Sequence, residues 1–312
     1  MKNISLLSIR FGLCCLFVEE GITFKTTTAK ILSVLTREKQ LEKSSHICLH
    51  NAVNLLGAVR AAHRLGIGAF RIMSPIFPRM THPDVGYDLE QLCDGDAIKE
   101  LLAATRSFAI ENDIRLSFHP DQFVVLSSPH SEVVINSIRE LIYHGQLADA
   151  VGAEDLNIHA GGVYGDKMLA LERFCHVFAD LPYSVSSRLT LENDDKSYTV
   201  RDLLPVCEKL SIPLVYDIHH HRCNPDGLTI EDGNRLAGET WKARGREPYC
   251  HLSSPIGGWG GKNPKPHADY IDPVDFPSCW FGQKMTVDIE AKAKELAVVR
   301  LMAILVNGPV DE

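Results

Sequence analysis

No stretch of this chain approaches the ~20 consecutive apolar residues that cross a bilayer, so nothing in it reads as a membrane-spanning helix. The opening MKNISLLSIRFGLCCLFVEEG is apolar, but Arg10 splits it, Glu19 and Glu20 follow, and it lacks the small-residue cleavage site of a secretory leader. It reads as a first strand. No C-x-x-C pair occurs among the nine cysteines. Their number is odd, Cys14 and Cys15 are neighbours, and Cys175, Cys207 and Cys250 stand in apolar surroundings. Buried reduced thiols in a cytoplasmic protein are therefore expected, and a cysteine-based zinc site is not. No G-x-S-x-G elbow is present to expose a serine nucleophile, and no repeat or low-complexity tract appears. Positive charge is short as well: 32 Lys and Arg stand against 40 Asp and Glu, a formal net charge of −8. Phosphate binding ordinarily calls for a cationic surface, although bound divalent cations would reverse the balance locally.

What the chain does have is an alternation. Short runs rich in apolar and β-branched residues recur at 7–13 (LSIRFGL), 69–73 (AFRIM), 114–119 (IRLSFH) and 155–159 (DLNIH). They continue at 188–193 (RLTLEN), 213–218 (PLVYDI), 249–252 (YCHL) and 285–290 (MTVDIE). Near-continuous runs of this kind are typical of parallel strands covered on both faces. Helical periods at 52–65, 96–111, 133–151, 167–178, 200–210, 230–244 and 291–305 separate them, with cap signals at Ser131 and at Thr199 ahead of Asp202. Eight strand–helix units in 312 residues, 45% of them hydrophobic and 23% charged, predict an α/β fold. The expected architecture is a closed (β/α)₈ TIM barrel, a single domain over 1–312. Segments near 13–50 and 253–275, the second rich in Gly and Pro, read as βα-loop insertions on the face where such barrels keep their active sites.

The chemistry lies in how the strands end. The third run ends in His119, the fourth in His159 and the fifth at Glu192. The sixth reaches Asp217 followed by His219, His220 and His221, the seventh carries His251, and the eighth ends in Glu290. All strand C-termini of a barrel open onto one mouth, so these side chains converge. A lone imidazole at a strand end is more often a plain hydrogen-bonding residue, Glu192 alone could cap a turn, and His219 to His221 alone could be surface. Six ends in succession are not accounted for that way. Imidazole and carboxylate without thiolate suit Zn²⁺, Mn²⁺ or Fe²⁺. One ion takes three or four protein ligands, whereas His119, His159, Glu192, Asp217, His220, His251, His267 and Glu290 are all available. Two or three divalent ions are expected, bridged by Glu192 and Glu290. Such clusters clamp the attacking and leaving oxygens in phosphoryl displacement. Glu192, Glu290, His251 and Asp217 are accordingly the candidate catalytic residues. A metal-dependent sugar isomerase or epimerase on a related barrel is the rival reading.

Six motifs in order carry a resemblance. They are His119-Pro120-Asp121-Gln122-Phe123, Ile158-His159-Ala160-Gly161-Gly162-Val163-Tyr164-Gly165, Leu191-Glu192-Asn193-Asp194-Asp195, Asp217-Ile218-His219-His220, His251-Leu252-Ser253-Ser254 and Glu290-Ala291-Lys292. Together they resemble the UV damage endonuclease family, over about 9–301 of the chain. The resemblance implies a barrel and metal cluster similar to those of endonuclease IV. It implies a DNA repair hydrolase that nicks duplex DNA on the 5′ side of UV photoproducts, abasic sites and other distorting lesions, leaving 3′-hydroxyl and 5′-phosphate ends. It implies manganese as the metal, with Zn²⁺ or Mg²⁺ as alternatives, and the eight residues above as its ligands. Damaged double-stranded DNA is the implied partner of a monomer that is cytoplasmic, and nucleoid-associated when at work, with no membrane role. Gln122 and Phe123 match a pair wedged into the duplex opposite the damage, core packing being the alternative for Phe123. Asn193, Lys292 and Lys294 are further candidates for DNA contact, a solvated helix face being the alternative for the two lysines. Leu13 and Phe17 stand where the family usually has an aromatic and an Asn, and Tyr249 where it often has Lys. The Gly-rich loop 256–265 has no assigned role.

Overall fold

The computed structural model describes residues 8–307, and within them eight strands close into a barrel in chain order, every neighbouring pair parallel. Leu7, at the head of the first expected run, and the outermost residues of the expected 1–312 domain lie outside the described residues. The strands are β1 (Ile9–Cys14), β2 (Ala69–Ile72), β3 (Arg115–Phe118), β4 (Asp155–His159), β5 (Leu189–Glu192), β6 (Leu214–Asp217), β7 (Tyr249–Leu252) and β8 (Met285–Ile289). Around them run α1 (Ala29–Ser33), α2 (Arg37–Arg64), α3 (Gly95–Glu111), α4 (Ser131–Val151) and α5 (Lys167–Ala179). The ring continues with α6 (Tyr183–Ser186), α7 (Val200–Leu210), α8 (Ile218–Cys223), α9 (Ile230–Thr240) and α10 (Glu295–Asn307). This is the expected single-domain TIM barrel. Among the described residues no helix is long and apolar enough to cross a membrane.

Several helices start where their caps dictate. Thr199 accepts from the Asp202 amide while Asp202 accepts from that of Thr199, the reciprocal box that opens α7. Gly152, left-handed at φ 74°, ends α4. Other expectations need correction. Ser131 is the first helical residue of α4, not its cap; His130 holds that position without a side-chain bond. The helix expected over 230–244 stops at Thr240 and gives way to a 3₁₀ turn, Lys242–Arg244. α10 begins at Glu295 rather than 291, because Lys294 is left-handed at φ 52° and the Glu295 carboxylate accepts from the amides of Val18 and Glu19. The first insertion shrinks to residues 15–36, since α2 starts at Arg37. The second reaches 284 and includes two 3₁₀ turns, Pro273–Asp275 and Ser278–Trp280. All nine cysteines are free, but only Cys14, Cys48, Cys207 and Cys250 are fully buried, and Cys93 is exposed.

The barrel interior has a floor and an open mouth. Low in the barrel Arg115 is wholly buried, pairs with Asp155 at 2.8 Å, and donates to the Glu247 carbonyl at 2.9 Å and to Thr286 at 3.1 Å. A buried guanidinium is tolerable only because these acceptors surround it. Above it Tyr249 and Ser117 exchange a hydroxyl bond of 2.9 Å, and the Arg115 guanidinium lies 4.7 Å over the Tyr249 ring. Tyr249 is thus part of the packed interior beneath the mouth. Leu13 is core, and Phe17 stacks on Phe70 with ring centres 5.9 Å apart.

Candidate metal centre

Side chains alternate between the two faces of a strand, so residues two apart share one. Asn157 and His159 on β4, Thr190 and Glu192 on β5, and Tyr249 and His251 on β7 therefore project into the barrel in tiers. Register completes the arrangement: His159 pairs with Glu192, and Asp217 with His251. Two neighbouring pairs of ligand-type side chains are thereby set at the C-terminal rim.

Of the remaining candidates, His119, His220 and Glu290 come from just beyond the strands and His267 from within the loop after β7. His119 follows β3, and its Nε2 lies 3.0 Å from Glu192 Oε2. His220 sits on α8, whose N-cap is Asp217; Asp217 Oδ1 accepts from the His220 amide at 2.7 Å. His220 Nδ1 lies 3.3 Å from Glu192 Oε1 and 3.4 Å from Asp217 Oδ2. His251 Nδ1 lies 3.2 Å from Glu192 Oε1 and 3.5 Å from Glu290 Oε1, and His267 Nδ1 lies 3.6 Å from Glu290 Oε2. Two groups have ligand atoms within 4.8 Å of one another: His119, His159 and Glu192, and then Glu192, Asp217 and His220. Glu192 belongs to both. All eight candidates are thus linked through three carboxylates.

Whether these residues fit metal ions is tested by what they leave unsatisfied. His159 Nδ1, Asp217 Oδ2 and His251 Nδ1 are buried without a hydrogen-bond partner. Orphaned buried polar atoms are costly, and three of those among the described residues fall on this one set of side chains. His119 adds a second sign. Its Nδ1 lies 3.1 Å from the Pro120 carbonyl, which can only accept, so in the neutral ring the lone pair of Nε2 faces a carboxylate oxygen. That contact is repulsive unless a cation or a proton intervenes. The titration pattern agrees. Burial would raise Glu192, yet His251, His159, His119 and His220 hold it well below the usual carboxylate range. Burial would lower His251, yet Glu192 and Glu290 bring it up to about 9. Asp217 is raised by burial, with Glu192 and Glu290 adding to the shift. The pocket demands positive charge, and the donor set fits divalent metal ions.

Supporting residues were not singled out in the sequence. Asn157 donates to Glu192 Oε2 and is itself held by Thr190 Oγ1 at 3.0 Å. Arg71 donates to Glu290 Oε1 at 2.7 Å, and its Nε lies 3.7 Å from buried Asp288. Each is a polar residue inside an apolar run (DLNIH, AFRIM, MTVDIE), and that intrusion was the available signal. Gly12 leaves room for Asp288: a Cβ there would sit 2.0 Å from Asp288 Oδ1.

The expected DNA-contacting residues fare unevenly. Gln122 and Phe123 lie on the loop after His119, and Phe123 is 75% exposed, so it does not pack in the core. Asn193 does not suit a DNA contact. It is 1% exposed, its amide donates to the Asp217 carbonyl at 2.8 Å, and its oxygen accepts from the Asp217 amide at 3.0 Å. It positions the end of β6 instead. Lys292 is exposed and Lys294 half-buried; both precede α10, so neither is on a helix face. A cavity of about 730 Å³ opens over the cluster, with Arg71, His119, Gln122, His159, His220 and Glu290 in its wall.

A UV DNA damage endonuclease of Bacillus pumilus is 36% identical over 315 residues, covering 94% of this chain and 92% of its own. The crystal structure of SacUVDE superposes with a TM-score of 0.83 at 32% identity, covering 95% of this chain and 98% of that one. Endonuclease IV from Thermus thermophilus, at 16% identity and a TM-score of 0.61 over 96% of this chain and 100% of that one, shares the fold. The model of the family described as UV-endonuclease UvdE matches residues 9–309, and with that match over the same strand ends that build the carboxylate–imidazole cluster, the chain belongs to the UV-endonuclease UvdE family.

Proposed function

We propose that this protein is a metal-dependent DNA repair endonuclease that nicks duplex DNA immediately 5′ to UV photoproducts and other distorting lesions, leaving 3′-hydroxyl and 5′-phosphate ends. The observation that carries the reading is a set of eight imidazole and carboxylate side chains, seven at or just beyond six successive strand ends and His267 from the loop after β7, joined through Glu192, Asp217 and Glu290. His119, His159 and Glu192 would hold one divalent ion, and Glu192, Asp217 and His220 a second. His251, His267 and Glu290 offer a third group, and manganese is the proposed metal. Bound ions supply Lewis acidity toward water and the phosphoryl oxygens.

The chain's own residues do the rest. Glu192 and Glu290 each face more than one imidazole and so serve as the shared ligands, with Asp217 and His251 completing the catalytic set. Asn157 and Arg71 fix the carboxylates, so the cluster does not reorganise when charge develops on the phosphate. Exposed Phe123 and its neighbour Gln122 enter the duplex, where Phe stacks in place of a base and Gln offers a donor and an acceptor. A damaged base pair resists this less than an intact one, which gives selectivity without sequence readout. Lys292 and Lys294, beside Glu290 on the chain, approach the backbone phosphates.

Nicking of UV-irradiated plasmid with Mn²⁺, Mg²⁺, Zn²⁺ or chelator tests the reading. Glu192→Gln and Glu290→Gln are each expected to cut the rate by roughly a hundredfold or more, the scale of losing one preorganised charged group. Both variants should keep the fold. Undiminished nicking by both would refute the assignment.

A further inference from the structure

We infer that the cavity at the closed end of the barrel, opposite the metal centre, is a binding site for a small phosphate-bearing molecule. The cavity measures about 400 Å³, at the lower end of the range of small-molecule sites. Asp155 in its wall opens β4, Arg188 stands just ahead of β5, and Arg244 and Arg246 lie on the turn that leads into β7. His159 and Glu192 end the same β4 and β5, so the two sites lie at opposite ends of these strands. The rise along β4 alone separates them by about 13 Å. A duplex seated over the mouth leaves this cavity free, and its occupant is a separate molecule.

Charge selects that occupant. Four arginines, Arg106, Arg188, Arg244 and Arg246, line the cavity together with two carboxylates, Glu154 and Asp155. Each carboxylate already has its own cation. Arg246 holds Glu154 through contacts of 2.8 and 3.0 Å, and Arg115, from the barrel floor, holds Asp155 at 2.8 Å. Arg188 is paired with Asp149 at 2.8 Å. Arg106 and Arg244 are left over, neither with a carboxylate at ion-pair distance among the described residues. Their bonds go to main-chain carbonyls, Arg106 to that of Asp149 at 3.2 Å and Arg244 to those of Ser187 and, at 3.0 Å, Leu189. Burial pulls the Arg244 guanidinium below its ordinary value, and Arg115 and Arg188 add to the shift against Asp155 and Glu154. In a chain of net charge −8, two uncompensated guanidinium groups at one hollow call for an anion. Their forked N–H groups match phosphate oxygens, and the hollow has room for more than a bare phosphate. A purely structural role, the usual one for this end of a barrel, predicts the same arginines with no occupant.

The test is equilibrium dialysis of the metal-loaded protein against radiolabelled inorganic phosphate and, in parallel, ribose 5-phosphate. Saturable binding of both is expected. Arg106→Glu, at an exposed position of α3, should weaken it at least about tenfold, the scale of one charge-assisted hydrogen bond, and leave the nicking of lesion-bearing DNA unchanged. Arg244→Gln should weaken it as well, but that change also frees two main-chain carbonyls, so Arg106→Glu decides if the second variant does not fold. Phosphate held by the metal ions would be lost in Glu192→Gln and indifferent to Arg106→Glu; the proposed site predicts the reverse. Absence of saturable binding, or binding that Arg106→Glu leaves intact, would overturn it.

Discussion

Asn157 and Phe123 mark two ways in which a single side chain matters to this centre. Asn157 touches no substrate; it donates to Glu192 while Thr190 fixes its own orientation. Asn157→Ala is expected to weaken metal retention about 10- to 100-fold, the usual cost of losing a group that orients a ligand. Titration with Mn²⁺ under competition from a chelator would measure it, and unchanged affinity would show that Glu192 needs no such support. Phe123 is the opposite case, a large apolar side chain kept in solvent. Phe123→Ala should leave the unfolding midpoint within about 1 °C, because little is buried, yet raise KM for lesion-bearing duplex roughly tenfold, the scale of one base–aromatic stack. A fall in stability with unaltered KM would return Phe123 to a packing role.

At the scale of elements, the strands were legible and parts of the helices were not. β-branched apolar runs bounded by polar loops marked every strand to within two residues of its bounds, and the ligands stood at the ends of those runs. The first half of α2 escaped because its buried face is polar. Gln40 donates to the carbonyls of Leu32 and Leu35 at 3.1 and 3.2 Å, Ser45 to Asp94 at 2.8 Å, and Asn51 to those of Lys25 and Ile76 at 2.9 and 2.7 Å. Apolar periodicity cannot report a face that is satisfied by hydrogen bonds to the loops it carries. Arg71 and Asp288 were overlooked for a related reason: only the closed barrel reveals that a charge within β2 and one within β8 meet beneath Glu290. Capping was partly legible. Thr199→Ala should destabilise the protein by about 1 kcal/mol, as judged by urea midpoints, since it removes one half of the reciprocal box of α7. The same change at Ser131 should cost little, because that residue caps nothing.

For the whole molecule, stability should depend on pH through a buried imidazole behind the wall of the metal-centre cavity. His144 is buried and pushed down from 6.5 to about 4, chiefly by that burial; its Nδ1 lies 2.7 Å from the Glu140 carbonyl and its Nε2 accepts from Ser74 at 2.9 Å. The folded state thus resists protonating it, whereas the unfolded chain accepts a proton near pH 6.5. The contribution is full above 6.5 and fades as pH falls toward 4, by on the order of 3 kcal/mol. The stability difference between the protein and its His144→Gln variant should shrink across that window, and a difference independent of pH would exclude the buried neutral imidazole. The barrel's architecture has one more consequence. Because each ligand-bearing strand presents alternate residues to the interior, the loss or gain of a single residue within β4, β5, β6 or β7 would turn His159, Glu192, Asp217 or His251 outward into the helical layer. A change in the length of a connection such as 253–284 leaves this inward and outward alternation intact, whereas one within a stave does not.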